Sequence, residues 1–273
     1  MRVIAGEQLA RELLEIAVEV ARGAAQLAVD TRAKAITEVS TKSTRTDVVT
    51  TGDQATERYV LDALHERRPG DSVLGEESGE STGGGGTGVR WILDPIDGTV
   101  NYLYGLPQYA VSLAAEVDGV VVAGVVRNAA TGDEWTALRG GGAYRAGRRL
   151  VCSEVTELGQ SLVATGFGYD AARRAYQAQV LTRVLPAVRD IRRFGAASLD
   201  LCFVAEGMVD AYYEKGLNLW DHAAGGLVAT EAGLTVSGLA GAPPGPDLLL
   251  AAPSGIYGQL HDLLVELDAA GGP

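Results

Sequence analysis

Apolar residues recur at helical spacing from about Gln8 to Asp30: Leu9, Leu13, Ile16, Val20, Ala24 and Leu27, with charged residues between them. That period predicts an amphipathic helix. Lys42 to Thr51 is rich in Ser and Thr and reads as a loop or frayed strand. A second helix is expected from near Asp53 to about Arg67, with Val60, Leu61 and Leu64 on its apolar face and Arg67-Arg68-Pro69-Gly70 as its stop. Ser72 to Glu76 reads as a short strand ending in acids. Gly79 to Gly88, with four consecutive glycines, carries no core residue and reads as a mobile hairpin tip or lid margin.

Alternating and continuous apolar runs follow. Ala110 to Val117 and Val120 to Arg127 are strands joined by Asp118-Gly119, a strong hairpin signal. Glu134 to Leu138 and Ala143 to Leu150 read as further strands, so the first half is two helices followed by an antiparallel-leaning sheet. Near Val151 the pattern changes to strands alternating with helices. Strands are predicted at Ser161 to Phe167, Asp190 to Phe194, Val209 to Tyr213 and Leu248 to Ala252. Helices are predicted from Ala172 to about Val188, Ala196 to Glu206 (closed by Gly207) and Trp220 to Ala232-Gly233. A last helix carries Ile256, Leu260, Leu264 and Leu267, with Ser254 as its cap. The second half is therefore α/β. The expected organisation is 1–150 and 151–273, together one compact unit.

Composition narrows the function. With 47% hydrophobic and 21% charged residues over 273 positions, the chain can bury a large core. Its 23 Lys+Arg against 35 Asp+Glu give a net charge of -12. Such a surface repels nucleic acid and anionic membranes, and repels a phosphate ester unless bound cations reverse the sign locally. Cys152 and Cys202 share no ligand spacing and are expected to be reduced, packed thiols. Glu7, Arg11 and Glu12 interrupt any apolar leader, and no apolar run reaches the ~20 residues of a membrane span. A soluble, cytoplasmic protein is the expectation.

Trp91-Ile92-Leu93-Asp94-Pro95-Ile96-Asp97-Gly98-Thr99 concentrates the chemistry. Three apolar residues form a central strand, and Pro95, with no amide hydrogen for the ladder, is expected to end it just after Asp94. Asp97-Gly98 is a turn dipeptide, Gly98 lets the backbone approach a ligand, and Thr99 starts a helix whose amides can face an anion. Two carboxylates beside free amides suit a metal-assisted phosphate site. Glu76 at a strand end, Asp221 at a helix opening and Asp53 near a helix start are further candidates. Such positions converge on one sheet edge, although Asp53 and Asp221 could equally be helix caps and Glu76 a solvated strand end. His65 and His261 are expected at the surface, and His222, next to Asp221, is expected at most to support the site from behind.

Taken together, Gly75-Glu76-Glu77-Ser78, the Trp91–Thr99 stretch and Trp220-Asp221-His222-Ala223-Ala224-Gly225 resemble the inositol monophosphatase family. Lys42 followed by Asp47 and Asp53, Gly195-Ala196-Ala197, and Asp210-Ala211-Tyr212-Tyr213-Glu214 extend the resemblance over nearly the whole chain. It is most similar to bacterial members that hydrolyse myo-inositol 1-phosphate. The resemblance implies a layered αβαβα sandwich of the sugar-phosphatase type and a magnesium-dependent phosphatase, homodimeric and inhibited by lithium. It implies two or three magnesium ions. Glu76, Asp94 and the Ile96 carbonyl would hold the first, Asp94, Asp97 and Asp221 the second, and Glu76 a third, weaker one. Thr99 and Asp53 would position the attacking water, making Thr99, Asp53 and Glu76 the catalytic set. Gly98 and Thr99 would cradle the phosphate, and Ala197, Glu214, Asp97 and Asp221 would meet the substrate's hydroxyls. Val100-Asn101-Tyr102 lacks the charged continuation of nucleotide-directed relatives and the arginine of histidinol-phosphate relatives, which with Glu214 favours a polyol or sugar monophosphate. Fructose 1,6-bisphosphate, histidinol phosphate or a 3'-phosphonucleotide are the alternative substrates, and a non-catalytic binding protein is the alternative class.

Overall fold

A computed structural model of the chain describes residues 2–35, 39–41, 48–81 and 86–273. Helix α1 (Arg2–Ala35) runs past both ends of the predicted Gln8–Asp30 and buries Leu13, Ala17, Val20, Ala21 and Ala24 at spacings of one, three and four. Strands β1 (Val39–Thr41) and β2 (Val48–Thr50) pair antiparallel, while Lys42 and Asp47 fall outside the described residues. Then come α2 (Thr51–Arg67), β3 (Ser72–Gly75), β4 (Gly79–Ser81), β5 (Val89–Asp97), α3 (Thr99–Tyr104), β6 (Ala110–Val117), β7 (Val120–Asn128), β8 (Glu134–Leu138), β9 (Gly142–Arg145) and β10 (Arg148–Arg149). Strands β3 to β10 form one sheet in the order β10-β9-β8-β7-β6-β5-β3-β4. The rest of the chain supplies β11 (Leu162–Thr165), α4 (Ala171–Val184), β12 (Asp190–Arg192), α5 (Ala197–Glu206), β13 (Ala211–Glu214), α6 (Leu219–Glu231), β14 (Thr235–Ser237), β15 (Leu249–Ala252) and α7 (Ser254–Glu266). Its sheet has the order β12-β11-β13-β15-β14.

The two-residue period of the strands builds five layers. On β5, Trp91 and Leu93 pack with Leu13, Val20 and Val60 from α1 and α2. Ile92 points the other way, into a core shared with Leu199, Val204 and Leu227 from α5 and α6. On β13, Tyr212 joins that same central core, whereas Ala211 and Tyr213 pack with Val180, Val184, Ile256 and Leu260 from α4 and α7. The result is the expected αβαβα sandwich. Asp94 shares parity with Ile92, and Glu214 shares parity with Tyr212, so both acids sit on the strand faces that meet the central helices.

Several expectations need correction. Pro95 does not end β5: pairing with β6 shifts register between Asp94 and Asp97, and this bulge accommodates the missing N–H, so the turn comes at Gly98. Within the Gly79–Gly88 stretch, Gly79–Ser81 is a strand antiparallel to β3; residues 82–85 lie outside the description. Ala143 to Leu150 is a hairpin, with Ala146 and Gly147 both at positive φ. The last helix is capped by Pro253 without a side-chain bond, and Ser254 is its first residue. The Asp118-Gly119 hairpin is present, with φ of 49° and 81° at its two turn residues. Among the described residues, no helix is long and apolar enough to cross a membrane.

Candidate active site

The bulged end of β5 opens onto a cavity of about 370 Å³. Glu76, Asp94, Ile96, Asp97, Gly98, Thr99, Ala197, Glu214 and Asp221, nine of the ten predicted site residues, line it. Asp53 does not. It is buried in the first turn of α2, near enough for its charge to push the Asp94 carboxyl up.

Each acid is delivered by a distinct local device. Glu76 follows β3 in a turn held from below by Glu57 of α2, whose carboxylate accepts the amides of Glu77 (3.0 Å) and Ser78 (2.7 Å). A Cβ on Gly75 would stand 2.9 Å from that carboxylate, so a larger residue there would have to displace Glu57. Asp94 Oδ1 accepts the Ile96 amide at 3.1 Å across the bulge. Asp97 reaches the start of α5, where Oδ1 accepts Ala197 N–H at 3.2 Å and Oδ2 accepts both the amide (2.7 Å) and the hydroxyl (2.5 Å) of Ser198. Asp221 is the fourth member of a capping box at α6: its Oδ2 accepts the Asn218 amide at 2.6 Å. The helix-cap reading of Asp221 is thus partly right, but the same carboxylate also faces the cavity. Gly98 sits at φ 89°, and a Cβ on it would lie 2.7 Å from the Gln108 carbonyl. Thr99 Oγ1 donates to the Ile96 carbonyl at 3.1 Å.

Burial and mutual repulsion dominate the electrostatics. The Asp94 carboxyl is held well above its ordinary range, first by burial and then by the charges of Glu76, Asp97, Asp221 and Asp53. Asp221 is raised well above its range by burial and then by Asp97. Asp97 is raised by burial, against the pull of the Ser198 and Ala197 hydrogen bonds. Glu214 is pushed up to about 7 by burial, although the Tyr212 hydroxyl donates to its Oε2 at 2.6 Å.

As the side chains stand, no three His, Cys, Asp or Glu among the described residues are arranged to hold a metal ion. The aspartates turn oxygens to neighbouring amides instead. The donor set nevertheless fits a hard cation: the cavity is lined by carboxylates and the Ile96 carbonyl, with no His or Cys. A divalent ion would relieve the repulsion that raises these carboxyls.

The sequence reading missed Ser198, the cavity-lining cations Arg173, Arg193 and Lys215, and Trp220. Ser198 follows Ala197 directly, but nothing local says that its hydroxyl crosses to β5. Val100, Asn101 and Tyr102, read for substrate preference, do not line the cavity. Asn101 is buried and donates to the carbonyls of Gln108 (2.7 Å) and Phe194 (2.8 Å), and the Tyr102 hydroxyl donates to Ala28 O at 2.9 Å. Asn101 and Tyr102 thus tie the turn after β5 to the rest of the fold. His222 is buried and also off the cavity; burial pushes its imidazole down to about 4. His65 is exposed as expected, while His261 is half-buried, with Nε2 accepting Ala240 N–H at 3.1 Å. Neither cysteine is paired in a disulfide.

Comparison with known proteins agrees with the class that this fold and cavity define: a phosphoric monoester hydrolase. The model of the inositol monophosphatase family matches residues 9–269, and the chain belongs to that family. An inositol-1-monophosphatase of Mycobacterium leprae is 49% identical over 231 residues, covering 81% of this chain and 79% of the relative. The solved structure of Mycobacterium tuberculosis SuhB superposes with a TM-score of 0.82 at 41% identity, over 96% of this chain and 98% of that one. A protein named Nus factor SuhB in Escherichia coli K12 is 38% identical over 231 residues, 84% of this chain and 86% of its own.

Proposed function

We propose that the enzyme hydrolyses myo-inositol 1-phosphate to myo-inositol and inorganic phosphate in a magnesium-dependent reaction. The observation that carries this reading is the convergence of Glu76, Asp94, Asp97 and Asp221 on one cavity that also holds Gly98, Thr99 and Glu214. Support for the inositol ester comes from the mycobacterial relative's name and from Glu214, a half-buried acceptor on the cavity wall suited to polyol hydroxyls.

Glu76, Asp94, Asp97, Asp221 and the Ile96 carbonyl would hold two or three magnesium ions. When bound, these supply charge for the phosphoryl oxygens and lower the barrier to water attack. The chain's own residues do the rest. The amides of Gly98 and Thr99 orient the phosphoryl group for in-line attack. Thr99 Oγ1 accepts a hydrogen bond from the attacking water and turns it, and as the water's proton arrives Thr99 passes its own on toward the Asp53 carboxylate behind it. Glu76 takes part in aligning that water. Ala197, Glu214, Asp97 and Asp221 surround the polyol. Attack by water leaves no covalent phosphoenzyme, so no histidine is required, in keeping with His222 lying off the cavity. Both halves contribute acids, so residues 1–150 and 151–273 act as one catalytic unit, in a cytoplasmic homodimer without nucleic-acid or membrane partners and sensitive to lithium.

Phosphate release from myo-inositol 1-phosphate, fructose 1,6-bisphosphate, histidinol phosphate and 3'-phosphoadenosine 5'-phosphate, with and without magnesium and with added lithium, tests the reading. Preference for the inositol ester, lost without magnesium, is the expected result. Preference for another ester overturns the substrate and keeps the site. The relative named Nus factor SuhB favours a second reading, a regulatory or binding role on the same fold; absence of turnover on every ester would transfer the weight to it.

A further inference from the structure

Glu214 and Asp221, the two cavity acids from the second half, are joined by a single short loop. Lys215, Gly216, Leu217 and Asn218 run from the end of β13 to the cap of α6, and all four line the cavity. Whatever fixes this loop fixes the spacing of the two acids it connects.

The loop is fixed from outside the cavity. Lys215 Nζ donates to the carbonyls of Ala270 (2.5 Å) and Gly271 (2.7 Å) and reaches that of Gly272 at 3.5 Å. Among the described residues, no carboxylate pairs with this ammonium in a salt bridge; main-chain carbonyls take its hydrogen bonds. The segment that supplies them is itself tied down. The Tyr176 hydroxyl donates to Asp268 O at 2.8 Å, and Arg173 Nε donates to Pro273 O at 3.2 Å. Gly272 lies so close to the Tyr176 ring that a Cβ there would stand 2.6 Å from Cγ. Arg173 also lines the cavity, and a Cβ on Gly216 would meet its Nη1 at 2.7 Å. A second, smaller cavity shares Glu214 and Lys215 with the first and is bounded by Ala269. The segment 268–273 is thus threaded between α4 and the loop and touches both.

We propose that Lys215 is a positioning residue for substrate specificity: by gripping the carbonyls of residues 270–272 it makes that segment a strut that sets where Glu214 meets the substrate. Lys215 acts through the loop and not by touching the ester. Three acceptors converging on one ammonium hold a flexible side chain in a single geometry, and Glu214 is its direct chain neighbour. The substrate named here rests on the proposed function, whereas the strut itself does not.

The test compares Lys215→Met, Lys215→Arg, a deletion of residues 270–273, and the deletion combined with Lys215→Met, each in the full chain with magnesium and myo-inositol 1-phosphate. Lys215→Met and the deletion are each expected to raise KM about five- to tenfold with kcat within about twofold. The combined variant should be no worse than either alone, because both remove the same interaction. Lys215→Arg should restore most of the loss. An unchanged KM in the deletion variant, or two effects that multiply, would mean that Lys215 works without the segment and would overturn the strut. A fall confined to kcat would overturn it equally. Amide exchange at residues 214–218, which needs no substrate, should quicken in both single changes; Tyr176→Phe, a milder cut in the segment's anchorage, covers the case of a deletion that misfolds. If the wild type fails to hydrolyse the ester, the function reading falls, and unchanged exchange at this loop separately overturns the strut.

Discussion

Ser198 holds Asp97 twice, with its amide at 2.7 Å and its hydroxyl at 2.5 Å from the same oxygen, Oδ2. The two residues are 101 positions apart, so this pair ties the bulged end of β5 to the first turn of α5 and joins the halves of the chain at the cavity. It also works on charge. Burial raises the Asp97 carboxyl, and the Ser198 hydrogen bonds pull it back toward ionisation. Ser198→Ala removes the hydroxyl and keeps the amide. A hydrogen bond to a charged group contributes about 1.5–3 kcal/mol, so magnesium should bind about tenfold more weakly or worse. The Asp97 carboxyl should rise further, which moves the acid limb of the kcat/KM profile to higher pH. Magnesium titration and a pH profile check both; a profile superposing on the wild type would show that the hydroxyl is incidental.

Asp94→Asn separates catalysis from folding. Asn keeps an oxygen for the Ile96 amide, so the bulge should survive. Turnover should fall at least about 100-fold, because a carboxylate facing the phosphoryl site is lost. Stability should move the other way. The folded Asp94 carboxyl titrates well above its unfolded value, so the unsubstituted protein loses stability as pH rises from that unfolded value toward the folded one. In EDTA at pH 8 the variant should therefore melt higher than the wild type, and near pH 4 the two should converge. A variant that melts lower at pH 8 would contradict the repulsion assigned to this cluster.

The acids were readable in the sequence because each sits beside a strong local signal. Asp94 and Asp97 flank a proline bulge, Glu76 ends a strand, and Asp221 opens a helix. The contacts that organise them were not readable, because they are long in sequence and short in space. Ser198 to Asp97, Glu57 to the Glu77–Ser78 amides, and Lys215 to the 270–272 carbonyls leave no periodicity behind. Asn101 belongs with them: its amide donates to the carbonyls of Gln108 and Phe194, the second 93 positions away. Strand β14 escaped notice because three residues of mixed polarity are too short to show a period.

Glu214 gives the reaction a pH dependence of its own. Its carboxyl, raised to about 7 by burial, is largely neutral at pH 6 and largely ionised at pH 8. The ionised form accepts stronger hydrogen bonds from polyol hydroxyls. The KM for myo-inositol 1-phosphate should therefore fall as pH rises through 7. In Glu214→Gln that dependence should vanish, with KM staying near the wild type's low-pH value. Steady-state kinetics from pH 6 to 8.5 decide it: a parallel slope in both proteins would assign the titration to another group.

Asp200 tests the same linkage away from the substrate. It is fully buried on α5, and among the described residues neither carboxylate oxygen has a hydrogen-bond partner. Burial, then the charges of Glu214 and Asp97, hold its carboxyl well above the ordinary range. A raised acid favours the folded state least at high pH: the unfolded chain releases the proton first, and stability falls from the unfolded pKa upward until the folded group ionises. Asp200→Asn removes that proton linkage in a side chain of nearly the same shape. Leaving a buried polar group without a partner costs about 1–3 kcal/mol for either side chain, so that cost largely cancels and the ionisation difference remains. The variant should match the wild type near pH 4 and exceed it by several degrees in Tm at pH 8, since about 1 kcal/mol shifts a chain of this size by roughly 2–4 °C. Melting curves in EDTA at both pH values provide the measurement. Equal destabilisation at both would mean that Asp200 is held by a partner that prefers the acid, and its burial would then need a different explanation.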